Sequence, residues 1–188
     1  MITTIDKNTA LVLIDLQNMV VKLPVAHPVA GVLANAAKLV AAFREAGLPI
    51  VLVNVNPIGS KAFGVRKDRN PPAGGAPAAD WLDIVPEIET SDEDIRITKH
   101  TWGAFYETAL HQELQKRNIT QIVLAGIATS VGVEGTARQA NEFGYNIAFA
   151  SDAMSDMFLD AHESSFKNIF PRLGEVGTTE DIIAKLPA

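Results

Sequence analysis

The sequence predicts an α/β protein, built as a doubly wound, Rossmann-like sheet of six parallel strands with helices on both faces. Short apolar runs, typical of strands covered on both faces, alternate along the chain with longer segments in which apolar residues recur at helical spacing. Alternating strands and helices form parallel sheets with right-handed crossovers. When the two halves of the sheet both start near its middle and have right-handed crossovers, the strand order is 3-2-1-4-5-6.

The first half of the chain carries two buried strands and one helix. Ala10–Asp15 and Pro49–Val55 predict strands 1 and 2, and Val29–Ala46 predicts a helix that ends at Gly47, a residue type common after the last helical turn. Pro57–Pro86 differs because it is rich in Gly, Pro and Ala. An irregular stretch of this length in a compact domain is usually functional or mobile.

The second half continues the alternation of strands and helices. Strands 3 to 6 are predicted at Asp94–Thr98, Gln121–Ala125, Asn146–Ala150 and Glu175–Thr178, and helices at Ala104–Arg117, Val133–Phe143, Asp160–Phe170 and Thr179–Lys185. The chain shows no internal repeat and no sign of a second domain. We therefore expect residues 1–188 to form a single domain.

Composition and charge narrow the classes of partner. The net charge of −6 argues against nucleic acid or an anionic membrane as the main partner. No apolar run approaches membrane-spanning length, and the first residues lack the pattern of a secretion signal, so a cytoplasmic protein is expected. Because the chain contains no cysteine, disulfides, thiolate metal sites and thiol nucleophiles are excluded.

No motif indicates a metal or a cofactor. The four histidines, His27, His100, His111 and His162, are scattered without the spacing of metal ligands. The segment Gly126–Gly132 fits neither a phosphate loop nor a dinucleotide fingerprint. We therefore expect a partner that is a small molecule, bound without a metal or cofactor.

Three chemically distinctive segments follow predicted strands. Asp15 ends strand 1, Lys99 follows strand 3, and Gly126–Gly132 follows strand 4. In the predicted strand order, strands 1 and 4 are neighbours at the point where ligands bind beyond the carboxyl ends of the strands. A partly desolvated carboxylate can act as general acid or base, and an ammonium beside it sets its charge. Taken singly, Asp15 is better explained as a turn or cap residue and Lys99 as a solvated lysine, and it is their pairing across the sheet that favours a site.

The turn after strand 4 is a candidate anion site. The backbone N–H groups of Ala128 and Gly132 are expected to form an oxyanion hole at the start of the following helix. The alternative is a loop that needs glycine only for its geometry. Thr129 and Ser130 are candidate substrate contacts. As nucleophiles they lack a histidine base nearby in sequence, which favours capping for both.

Five further residues are candidate substrate-binding groups. Arg66 and Arg69 lie in the Gly/Pro-rich loop and are suited to hold a substrate carboxylate, although solvated loop cations explain them equally well. Gln17 is expected to bond the substrate from beside Asp15. Trp102 and Phe105 are expected to wall the pocket, with core packing as the alternative.

Three motifs in this order and spacing resemble those of the isochorismatase-like, or cysteine hydrolase, superfamily. They are Ala10–Gln17, Thr98–Thr108 and Gly126–Ala140, and the likeness extends over nearly the whole chain. The resemblance assigns the family's catalytic aspartate to Asp15 and its lysine to Lys99. It also implies a cis peptide bond between Ile127 and Ala128, and assembly into homo-oligomers.

Gly132 stands where amidase members of this superfamily carry the nucleophilic cysteine. The chain is similar in this respect to the true isochorismatases, in which the aspartate acts as general acid on a vinyl ether. The resemblance therefore implies a hydrolase of isochorismate or a related anionic vinyl ether, acting without a covalent intermediate. Two alternatives stay open, a catalytically inactive binding or assembly protein and an amidohydrolase that uses activated water or Ser130.

Overall fold

The computed structural model describes residues 1–68 and 78–187 and contains one six-stranded sheet in which every pair of neighbouring strands is parallel. The strands are β1 (Thr9–Ile14), β2 (Ile50–Val55), β3 (Ile95–Lys99), β4 (Gln121–Ile127), β5 (Asn146–Ser155) and β6 (Glu175–Gly177). Their order, β3-β2-β1-β4-β5-β6, confirms the predicted fold class and topology.

Helices cover both faces of the sheet. They are α1 (Val29–Glu45), α2 (Leu110–Lys116), α3 (Glu134–Glu142), α4 (Leu159–Ser164), α5 (Phe170–Leu173) and α6 (Thr179–Ile183). Over the described ranges, none of these helices is long and apolar enough to cross a bilayer.

The alternation of side chains along each strand divides the core into two layers. Successive residues of a strand point to opposite faces of the sheet. Leu11 and Leu13 of β1 pack in the layer that contains α1 and α6, whereas Val12 and Ile14 pack in the layer that contains α2, α3 and α5. Because both faces of β1 are buried, its sequence is apolar without interruption from Ala10 to Ile14.

The predicted helix Ala104–Arg117 begins later than expected, at Leu110. The residues before it run along α3 instead, where the N–H of Phe105 donates to the Gln139 side chain at 3.1 Å. Glu107 has a positive φ of 53°, which interrupts any regular helix at that point. Backbone bonds to α3 side chains thus replace the first helical turns.

The other helix and strand boundaries lie close to the predictions, with two differences. β5 continues five residues beyond its predicted end, and its register with β4 shifts between Leu124 and Gly126. The predicted helix Asp160–Phe170 is divided into α4, a π-helical turn over Ser165–Ile169, and α5. Pro171 follows that wide turn, and its missing N–H prevents regular α-helical bonding there.

Gly126 allows β4 to end directly against β1. The two strands pair in register from Thr9 to Ile14, and Ile14 lies opposite Gly126. Gly126 has a φ of +125°, and a Cβ at this position would overlap the backbone carbonyl of Ile14. A glycine is therefore required where the ends of the two central strands meet.

We expect Gly126→Ala to lower the free energy of unfolding by about 3 kcal/mol or more, because both the backbone conformation and the space exclude a side chain. Gly47→Ala is the matched control: Gly47 also has a positive φ, +64°, but a Cβ there meets nothing within 4 Å. Its expected cost is about 1 kcal/mol. Urea unfolding of both variants measures the difference, and equal losses would contradict the proposed close approach.

Candidate active site

Asp15 and Lys99 meet at the carboxyl edge of the sheet. Asp15 is the first residue after β1, and its N–H donates to the Val53 carbonyl of β2. Lys99 is the last residue of β3 and pairs with Val55 of β2. Its Nζ lies 2.7 Å from Asp15 Oδ2, and the two residues are only 1% and 5% exposed. Two groups separated by 84 positions thus form a buried ion pair.

The Asp15 carboxyl is held in an unusual state. Its backbone has a positive φ of 54°, a conformation that aspartate tolerates better than most residues. Burial raises the pKa of the Asp15 carboxyl to about 6, and the attraction and hydrogen bond of Lys99 only partly offset this rise. Oδ1 is buried without a hydrogen-bond partner. The carboxyl therefore has one oxygen bound to Lys99 and one buried oxygen without a partner.

Lys99 is fixed by a second contact. Its ammonium donates to the backbone carbonyl of Thr101 at 3.2 Å as well as to Asp15. A buried ammonium with only one acceptor would leave costly unsatisfied donors. The Thr101 carbonyl therefore determines where the ammonium sits, although the sequence alone did not single out Thr101.

Gly132 brings the third segment to the same place. A Cβ built on Gly132 would lie 3.1 Å from Asp15 Oδ2, 3.5 Å from Lys99 Nζ and 2.8 Å from Cγ2 of Ile14. Ile14 and the ion pair thus pack close against the glycine, where a side chain would crowd them. Residues far apart in sequence converge here, as the strand order predicted.

The turn that carries Gly132 has a distinct backbone. The Ile127–Ala128 peptide bond is cis, as the family resemblance implied. A π-helical turn follows over Thr129–Val133 and leads into α3. The Ala128 carbonyl accepts from the N–H groups of Val131 and Val133. An oxyanion hole at Ala128 and Gly132 remains a proposal.

The hydroxyl groups of Thr129 and Ser130 donate hydrogen bonds to the last residue of β5 and to Asp156, which follows it. Thr129 Oγ1 donates to the carbonyl of Ser155 at 3.0 Å, and Ser130 Oγ donates to Asp156 Oδ2 at 2.8 Å. The Ser130 N–H also donates to Asp156, at 2.7 Å. With both protons committed, these residues anchor the turn and do not serve as donors to a substrate. Substrate contacts through their hydroxyl oxygens or backbone groups stay a prediction.

Two histidines that looked unrelated in sequence lie behind this turn. Nδ1 of His162 is 2.8 Å from Thr129 Oγ1, and the rings of His27 and His162 are 4.6 Å apart. Because Thr129 gives its proton to the Ser155 carbonyl, Nδ1 of His162 must be the donor in their bond. Burial and the neighbouring His27 lower the pKa of His162. No sequence pattern indicated this cluster, because its members come from three separate segments.

A cleft lies next to Thr101, the residue whose carbonyl accepts from the Lys99 ammonium. A cavity of about 380 Å³ is lined in part by Lys67, Trp102, Tyr106 and Gln139, and an adjoining one of about 520 Å³ shares Ala62, Thr101 and Tyr106 with it. Trp102 is 57% exposed, so its indole is available to a ligand. Thr101 connects the cleft to the ion pair, since it lines both cavities and binds Lys99.

Two predicted substrate-binding residues have structural roles instead. The Gln17 side chain is fully buried and bonds the N–H and carbonyl of Val55 and the carbonyl of Trp81, so its amide ties β1 to β2. Phe105 packs in the core, with its ring 5.3 Å from that of Phe143. Core packing, the alternative interpretation, therefore applies to Phe105.

Among the described residues, Arg66 forms no ion pair with Asp15, whose partner is Lys99. Arg66 is exposed on the loop between β2 and β3, and Arg69 lies outside the described residues. Across residues 1–68 and 78–187, no group of three or more His, Asp or Glu side chains is arranged to hold a metal ion.

Comparison with known proteins identifies the family. The family model for the isochorismatase domain matches residues 9–181. The isochorismatase family protein YwoC of Bacillus subtilis is 42% identical over 183 residues, which cover 96% of this chain and 95% of that protein. A more distant relative, the ureidoacrylate amidohydrolase RutB of Acinetobacter baylyi, is 27% identical over 94% of this chain and 83% of its own.

A solved structure agrees with the sequence comparison. An isochorismatase family protein from Burkholderia thailandensis superposes with a TM-score of 0.90 at 41% identity, covering 97% of each chain. Both the extent and the identity of these matches exceed a likeness of fold alone. The chain belongs to the isochorismatase family of hydrolases.

Proposed function

We propose that the chain hydrolyses a small anionic enol ether, such as isochorismate or a related vinyl ether, with Asp15 as the general acid and no covalent enzyme intermediate. The observation that carries the proposal is the buried Asp15–Lys99 pair with Gly132 beside it. The chain has no cysteine, so the thiol route used by amidases is closed to it.

The state of the Asp15 carboxyl supports the role of acid. At its ordinary pKa of 3.8 it would be almost fully ionised near neutrality, but with a pKa of about 6 roughly one tenth is protonated at pH 7. A general acid works best when its pKa lies near the working pH. The unpartnered Oδ1 is the oxygen from which we expect the proton to leave.

The reaction consumes one water and regenerates the acid. Asp15 transfers its proton to the terminal carbon of the C=C bond, which makes the ether carbon an oxocarbenium ion. Water adds to that carbon and returns a proton to Asp15. The resulting hemiketal then breaks its C–O bond, and its hydroxyl proton passes to the departing alcohol, which leaves a carbonyl product. The bonds and charges balance without a metal or cofactor.

Lys99 and the turn have complementary roles in this proposal. The ammonium keeps the Asp15 pKa from rising further, and it stabilises the carboxylate that forms when the proton is transferred. The backbone N–H groups of Ala128 and Gly132 are proposed to hold an oxygen of the substrate. Arg66 and Arg69 are proposed to attract the substrate's carboxylate.

Amide hydrolysis is the second candidate, because RutB, an amidohydrolase, is among the relatives. In this chain its nucleophile is activated water or Ser130, whose hydroxyl donates to Asp156 Oδ2. A parallel screen of pyruvate enol ethers, isochorismate and N-carbamoyl amides distinguishes the two. Binding of these compounds without turnover of any of them would favour the inactive binding protein.

We expect Asp15→Asn to lower turnover of the responsive enol ether by about 10²- to 10⁴-fold, because the amide has no proton of suitable acidity to donate. For the parent protein, log kcat should fall by about one unit per pH unit above pH 6, as the acid form is lost. Carbonyl product is measured by hydrazone formation from pH 4.5 to 8. Asp92→Asn, at an exposed acid, is the control.

Undiminished turnover in Asp15→Asn would refute the acid role. A profile that rises with pH above 6 would instead indicate that the ionised carboxylate acts as a base, as amide hydrolysis by activated water would require.

Lys99→Met should raise the pKa of Asp15 above 6, because the attraction and the hydrogen bond that offset burial are both removed. Titration of the ¹³C-labelled aspartate carboxyl by NMR measures this directly and needs no substrate. Lys7→Met removes an exposed lysine at the opposite end of β1 and should leave the titration unchanged. A lower pKa in Lys99→Met would show that the pair does not act as described.

Trp102→Ala should raise KM about tenfold with little change in kcat, because the exposed indole lines the cleft but lies outside the ion pair. Phe158→Ala, at an exposed aromatic outside the cleft lining, is the control. A fall in kcat alone would place Trp102 in the chemical step.

A further inference from the structure

One buried hydroxyl joins the two segments that meet at the ion pair. Thr136 lies in the first turns of α3 and is fully buried. Its Oγ1 donates to the carbonyl of Gly132 at 2.7 Å and accepts from the N–H of Ala104 at 3.0 Å. The hydroxyl thus donates to the Gly132 turn and accepts from the segment that contains Ala104.

Each of these two bonds connects to the site. The Gly132 carbonyl belongs to the turn whose glycine lies beside Asp15. Ala104 belongs to the irregular segment that begins at Thr101, and the Thr101 carbonyl is the second acceptor of the Lys99 ammonium. Thr136 therefore provides one side-chain link between the Gly132 turn and the segment whose Thr101 carbonyl binds Lys99.

The segment from 101 to 105 is held by the core packing of Phe105 and by hydrogen bonds to α3. It has no regular secondary structure, and α3 binds it through Thr136 and through the Gln139 side chain, which accepts from the N–H of Phe105 at 3.1 Å. Gly103 allows this approach, because a Cβ there would collide with Gln139. The position of the Thr101 carbonyl consequently depends on these contacts with α3.

We propose that Thr136 is a positioning residue that sets the Lys99 ammonium and the Gly132 turn relative to each other, and so sets the proton affinity of the acid at the site. It does not touch the reacting atoms and is not a catalytic residue. Its significance for turnover rests on the function proposed above, but its effect on Asp15 does not.

The test is the titration of Asp15 in variants that keep or delete the hydroxyl. Thr136→Val and Thr136→Ala both remove it, the first with almost the same shape, and Thr136→Ser retains it. Without the tie, the Thr101 carbonyl fixes Lys99 less closely, so the ammonium offsets burial less. We expect the Asp15 pKa to rise by about half a unit in the Val and Ala variants and to stay at the parent value in the Ser variant.

Two further measurements separate positioning from a general loss of stability. Thr179→Val is the matched control, because Thr179 is a fully buried threonine whose hydroxyl bonds Asp152 at the β5–α6 junction. It should lose stability without moving the Asp15 titration. For a responsive enol ether, the Thr136→Val variant should show kcat about tenfold lower with KM within about twofold.

The proposal is overturned if the folded Val or Ala variant titrates like the parent, or if the Ser variant shifts as much as they do. Because the titration is followed without substrate, a protein that hydrolyses no enol ether still gives a clear result. Circular dichroism establishes that each variant is folded, and the Ala variant remains informative if the Val variant does not fold.

Discussion

The buried ion pair between Asp15 and Lys99 is the interaction on which the site depends. Taking two charges out of water is expensive, and a pair of this kind is seldom the most stable solution for a protein interior. Burial outweighs attraction here, because the carboxyl pKa rises from 3.8 to about 6. A shift of this size corresponds to about 3 kcal/mol.

The direction of this pKa shift determines how the stability of the fold depends on pH. A carboxyl whose pKa is higher in the folded protein binds protons more tightly there, so its contribution to stability is complete below about pH 4. That contribution is lost as the pH rises through about 6. The protein thus carries an ionised carboxylate at neutral pH at the expense of stability, as sites of chemistry commonly do.

The fold and the meeting of Asp15 with Lys99 could be predicted from the sequence, because strands and helices leave recognisable local patterns. Uninterrupted apolar runs marked the strands, and the rule that carboxyl ends of parallel strands share one edge brought Asp15, Lys99 and Gly132 together. The surrounding network did not follow. Side chains such as Thr136, Asp156 and His162 act through single hydrogen bonds between distant segments, and no periodicity encodes such partners. The predictions for Gln17 and Phe105 differ from the structure for the same reason. A position close to the site in sequence does not determine which groups the side chain contacts.

The bare backbone at position 132 has a consequence for the conditions under which such a site can work. A thiolate nucleophile is lost to peroxide, alkylating agents or mercurials, and reductants must restore it. Position 132 offers no sulfur, and its neighbours are a carboxyl and an amine that these reagents leave largely untouched. The centre is therefore indifferent to the redox balance of its surroundings and responds to acidity instead.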